Sequence, residues 1–174
     1  GAEPAVNVVN AIVSACQQAY IGQPEGGAVS AVNVTAMGGI SIRASLNDAA
    51  ETGAQAIVGS NGSDSSVAVS IIGGKASEAN ARMEGASSAH IRTTGSIVTA
   101  GQLALLNAAR SWAKADIADA SVDVTLVNAT LLLTEAVAGG NFKALAQTGA
   151  LSAGSVDIQN VYYAESHSAT GPAG

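Results

Sequence analysis

Few residues in this 174-residue chain could do chemistry, and their spacing argues against most kinds. His90 and His167 are the only imidazoles and Cys16 the only thiol. A zinc site would have to gather these from distant positions or recruit carboxylates. Gly73-Gly74-Lys75 resembles the end of a phosphate-cradling loop, but Ala76 stands where a Ser or Thr should follow. No Gly-x-Ser-x-Gly nucleophile elbow occurs. Asp116, Asp119 and Asp123 form the densest acidic group, yet they lack the Asp-x-Asp-x-Asp-Gly ladder and terminal Glu of a calcium loop. No paired carboxylates recur as a glycosidase would need. The chain therefore reads as a non-enzyme, with no catalytic residue, cofactor or metal.

Binding chemistry is better represented. Arg110, Trp112 and Lys114 alternate, so on a strand they share one face. An aromatic ring between two cations suits a protein interface or a glycan. Asn33, Asn61 and Asn128 begin N-x-[ST] sequons and are candidate glycosylation positions. The net charge is −6, and the seven basic residues are scattered singly, which disfavours nucleic acid. With one cysteine, no intrachain disulfide can form, and Cys16 reads as a small buried hydrophobe. No apolar run approaches the roughly 20 residues of a membrane-spanning helix, so no membrane insertion is expected. Gly1 is followed by neither a basic region nor an apolar leader.

The elements that would position these residues are unusual in composition. The chain is 48% hydrophobic but only 3% aromatic. Small and β-branched side chains suit thin, regularly stacked interiors. The stretch Ala89 to Leu105, AHIRTTGSIVTAGQLAL, has a weaker copy at Val34 to Ile42 and another at Leu151 to Ile158. Each copy gives a small residue, a Gly and an apolar-x-apolar pair: Ile40/Ile42, Leu103/Leu105 and Val156/Ile158. The first members lie 63 and 53 residues apart. Val6/Val8, Val67/Val69 and Val122/Val124 form a second set, 61 and 55 residues apart. A unit of this length would span two or three coils of a repetitive fold.

Between the copies the signals are mixed. Residues 5–22 admit a helix, with Val6, Val9, Val13, Cys16 and Tyr20 on one face, or two short strands. Residues 102–118 carry the same ambiguity, and 76–87 are good helix formers without an apolar stripe. Gln23 to Gly27 is a break, and the tail 164–174 reads as linker.

VNVVN…QAYIG, AVSIIGGKA…AHI with VTAG, and EAVAGGNFKALAQTGALSAGSVDI (135–158) together resemble the repeats of large bacterial filamentous surface adhesins. Those are the leukotoxin-like adhesins and the autotransporter-type β-solenoid passengers. His90 and Leu145 stand where that pattern has Tyr. The resemblance implies strand for 5–21 and 102–118, an extracellular or cell-surface location, and adhesion without catalysis.

The expected fold is mainly β: an elongated parallel β-solenoid-like domain or β-rich filament subunit, with room for short helical segments. It forms a single repetitive domain with units near 5–66, 67–121 and 122–163. The expected partners are further copies of itself and glycans or proteins of host or neighbouring cells. An alternative is a pilus-like filament subunit. In that reading an almost uncharged N-terminal segment, with Val6, Val8, Val9, Ile12 and Val13, completes a neighbour's sheet by donor-strand addition.

Overall fold

The structure, a computed structural model, describes residues 6–47, 53–58, 76–117 and 131–170. Every regular element among them is a strand. The chain passes three times through the same three parallel sheets. The first pass is β1 (Val6–Gly22), β2 (Val34–Ala36), β3 (Ile40–Leu46) and β4 (Ala54–Val58). The second is β5 (Ala76–Arg92), β6 (Ser96–Thr99) and β7 (Gln102–Ile117). The third is β8 (Leu131–Gln147), β9 (Ala150–Ser152) and β10 (Ser155–Thr170). The sheets run β1-β5-β8, β2-β6-β9 and β3-β7-β10, with β4 extending along β7 beyond β3. The second pass is thus the middle strand everywhere.

The turn copies stack in register. Ile40, Leu103 and Val156 form one file, and Ile42, Leu105 and Ile158 another. Their glycine corners stack too: Gly101 N donates to Gly38 O at 3.2 Å, and Gly154 N to Gly101 O at 2.9 Å. The Thr99 hydroxyl also bonds Gly38 O. The second expected set is replaced. Val6 pairs with Ala76, which pairs with Leu131. Val67, Val69, Val122 and Val124 lie outside the described residues. An apolar-x-apolar pair recurs too often in a Val- and Ala-rich chain to set a register without a corner beside it.

Ala-rich strands persist here because their backbones are satisfied by a parallel neighbour, on both sides in β5 and β7. That pairing overrides the helical propensity of 76–87, all of which is strand from Ala76 onward. The helical spacing of Leu103, Leu106, Arg110, Ala113 and Ile117 is likewise overridden, since β7 buries every odd residue from Leu103 to Ile117. The expected tail is also strand, because β10 follows β7 as far as Thr170.

Inward side chains of the first and third sheets meet in a thin interior. Beside the corner it holds Ile42, Ile91, Ile97, Leu103 and Leu105. At the far end it is mostly alanine: Ala54, Ala56, Ala79, Ala81, Ala113 and Ala115, with Val9, Met83 and Ile117. A polar seam separates the two. The buried Ser87 hydroxyl donates to Asn107 Oδ1, and Asn107 Nδ2 donates to Asn160 Oδ1 at 2.7 Å. Asn160 Nδ2 in turn donates to Phe142 O at 3.0 Å. Ser111 Oγ donates to Gly139 O at 2.9 Å. Each buried polar side chain of the seam has its partner, as a dry interior requires. At mid-interior the outer passes carry the bulk. Leu46 reaches to where a Cβ on Gly85 would stand 2.8 Å away, and Phe142 stacks on Tyr162 at 4.4 Å.

Candidate functional site

The most elaborated surface lies where the long strands turn the corner. The connection there is residues 93–95 in the second pass and 148–149 in the third, but residues 23–33 in the first. This longer strap runs along the outside of the stack. Gln23 N donates to Arg92 O at 3.0 Å, and Arg92 Nη1 donates to Pro24 O at 2.9 Å and Gly27 O at 3.0 Å. The Thr93 hydroxyl accepts from Val32 N at 2.7 Å and Gly95 N at 2.9 Å. Lower down, Lys143 of the third pass pairs with Glu25 at 3.1 Å. One strap therefore ties all three passes together. Gly22 sits at its root with φ +97°, a conformation L side chains rarely adopt, and a Cβ there would strike the Arg92 carbonyl.

Beneath the strap Tyr20, His90 and Leu145 stand in one file, so the equivalence read from the repeats is the pairing observed. The Tyr20 and His90 rings stack at 5.4 Å, only 14° from parallel. His90 is buried, with Nε2 3.1 Å from Gln23 O and Nδ1 3.1 Å from Ser88 Oγ. A carbonyl can only accept, so Nε2 donates to Gln23 O. Both ring nitrogens are engaged. A hollow of about 460 Å³ opens between Glu25, Gly26, His90, Arg92, Lys143 and Leu145. Its histidine, arginine and lysine already bond to protein partners. It is built as a clamp.

The candidate patch on β7 is rearranged. Trp112 is only 8% exposed, so it is no open platform for a sugar ring. Its ring lies 6.4 Å from that of His167 on β10. Arg110 pairs with Glu165 at 3.5 Å, Glu165 with His167 at 2.6 Å, and Lys114 with Asp116 at 3.7 Å. The His167 hydrogen bond holds the Glu165 carboxyl below its ordinary value, against opposing desolvation and with further help from the charges of His167 and Arg110. The open ring on this surface is Tyr163, 68% exposed and beside Arg110 in register. No motif in the sequence marks Tyr163. Only the alternation along β10 points it outward, on the face opposite Tyr162.

The N-terminal segment forms an edge strand. Val6, Val8, Val9, Ile12 and Val13 lie on β1, which pairs along one edge with β5 of the same chain. Val9 and Val13 pack inward, while Val8 and Ile12 are exposed. Cys16 is also exposed, because it falls on the outward alternation of β1, contrary to the buried position expected. Asn33 lies at the strap's end, its Oδ1 accepting from Ser96 N at 2.7 Å. Asn61, Asn128, Asp119, Asp123 and Gly73 to Lys75 fall outside the described residues. Among the described residues, no three His, Cys, Asp or Glu side chains gather to hold a metal.

Comparison with protein-family models, curated proteins and solved structures finds no match.

Proposed function

We propose that the chain is a non-catalytic extracellular structural and adhesive protein, a repeat module of the kind found in bacterial surface adhesins. The observation that supports this reading is the register itself. Three passes place Ile40, Leu103 and Val156, and Ile42, Leu105 and Ile158, in continuous files joined by stacked glycine corners. Such a stack gains length by repeating one unit, each pass burying a face its neighbour cannot bury alone. Its long strands offer flat outer faces, on which Tyr163 beside Arg110 gives an open aromatic next to a cation. The donor-strand alternative would use the edge of β1 that faces away from β5.

The adhesive part is tested by coating beads with the chain and measuring their retention on cells and on a glycan array. Retention above that of beads carrying an unrelated β protein is expected, with at least a threefold loss for Tyr163→Ala. No retention on any cell type or glycan would reject it.

A further inference from the structure

We propose that the β8–β9–β10 end of one molecule receives the β1–β2–β3 end of a second copy, continuing the parallel ladder by one step in the same register. This rests on the structural reading above and names its partner.

The two ends fit strand for strand. Among the described residues each is the unpaired edge of the same three sheets in the same order, and all pairings are parallel. A further step would place Ile40 and Ile42 of the incoming copy against Val156 and Ile158. In the middle pass the equivalent Leu103 and Leu105 are 0% and 1% exposed, whereas Val156 and Ile158 are 49% and 44% exposed. The open end thus presents inward-pointing apolar side chains at the positions a further pass would cover.

The described edge strands are not equally guarded: β8 carries Lys143, paired with Glu25 of the strap, whereas β1 is bare. Unpaired edges are usually blunted by lysine, proline or a bulge. β1 runs 17 residues without a charged side chain or a proline. The strap leads from the first pass toward the third, ending its reach at Lys143, and so bends away from the first-pass edge. Charges on the outer face of the third sheet are also complementary. Asp157 would oppose Ser41 of the incoming copy and stand diagonal to its Arg43, two residues along. Because the two surfaces differ, the contact is head-to-tail, and because each step continues the parallel ladder as one pass follows another, it propagates as a filament rather than closing into a ring.

The chain carries half of its own test. Cys16 pairs with Ala86 and Ala86 with Asn141, so Asn141→Cys would face Cys16 of the next copy. Neighbouring strands lie about 4.8 Å apart, within disulfide reach. The control is Leu133→Cys, also outward on β8 but eight residues away, roughly 26 Å along the strand. Under mild oxidation the full chain with Asn141→Cys should give a ladder of multimers on a non-reducing gel. Leu133→Cys should give none, and adding Cys16→Ser or Ile158→Lys to Asn141→Cys should remove the ladder while the monomer keeps its β circular dichroism. No ladder from Asn141→Cys at millimolar protein, or equal ladders from both positions, overturns the proposal. If the ladder fails while bead retention persists, stacking falls and the adhesive reading stands.

Discussion

The second and third passes are built alike and live in different surroundings. Leu105 and Ile158 occupy one file and follow the same kind of corner, yet Leu105 is 1% exposed and Ile158 44%. Leu105 has a strand on each side, and Ile158 has one. Burial in this fold comes from the neighbouring pass rather than from a residue's own pass. The corner glycines say the same about close packing. A Cβ on Gly101 would stand 2.8 Å from Gly39 N, and one on Gly154 would stand 2.7 Å from Ala100 O, whereas a Cβ on Gly38 meets nothing within 4 Å. In this file of corner glycines the obstruction comes from the preceding pass.

The largest expected contrast lies in the shared file. Leu105→Ala should cost about 2–5 kcal/mol, a typical penalty for emptying a packed core position. Ile158→Ala should cost roughly 1 kcal/mol, since much of its area already faces water. Urea denaturation of the monomer measures both, and equal losses would erase the distinction between passes. Next come the corners. Gly101→Ala should cost about 1–3 kcal/mol because the obstructing atoms are backbone. Gly38→Ala should be neutral or stabilise by a few tenths, by restricting the unfolded chain. In a head-to-tail stack Gly38 would acquire a pass beneath it, so the same substitution should suppress laddering of Asn141→Cys. A comparable effect is expected along the seam. Asn107→Ala leaves the Ser87 hydroxyl buried without its acceptor and should cost about 1–3 kcal/mol. Asn160→Ala, at the exposed end, should cost less than Asn107→Ala in the same denaturation assay.

The smallest expected effect depends on pH. The folded-state pKa of Glu165 lies below the ordinary value of 4.5, so its ionised form is favoured by folding. Its contribution is present above 4.5 and is lost as pH falls through the lower folded value. Glu165 is solvent-exposed, so the effect is weak. Glu165→Gln should slightly flatten the acid limb of a plot of thermal midpoint against pH and lower the region above pH 6 by a small, constant amount. A steeper acid limb in the variant would contradict this sign.

How far the fold could be read depended on the local signal. The corner was legible because Gly38, Gly101 and Gly154 precede apolar-x-apolar pairs, and those pairs stack in the order their spacing suggests. The first sheet was obscure because β5 is made largely of Ala, Ser, Glu and Asn, whose helical preference is overruled only by pairing on both edges. Trp112 was read correctly as to face and wrongly as to exposure, since alternation does not reveal what the adjacent strand lays over a ring. His90 was recognisable as the counterpart of Tyr20. Its confinement was not, because it depends on Gln23 O, 67 residues away in sequence. The strap itself read as a mere break at Gln23 to Gly27. Its role rests on the Arg92 side chain reaching two carbonyls that no local pattern foretells.

The three-pass register is decided by methyl-to-methyl nuclear Overhauser effects from Leu105 in a selectively labelled sample. With strands about 4.8 Å apart, Leu105 should show cross-peaks to both Ile42 and Ile158. Cross-peaks to only one of them, or to residues displaced along either neighbouring strand, would contradict the parallel stack on which every functional reading above depends.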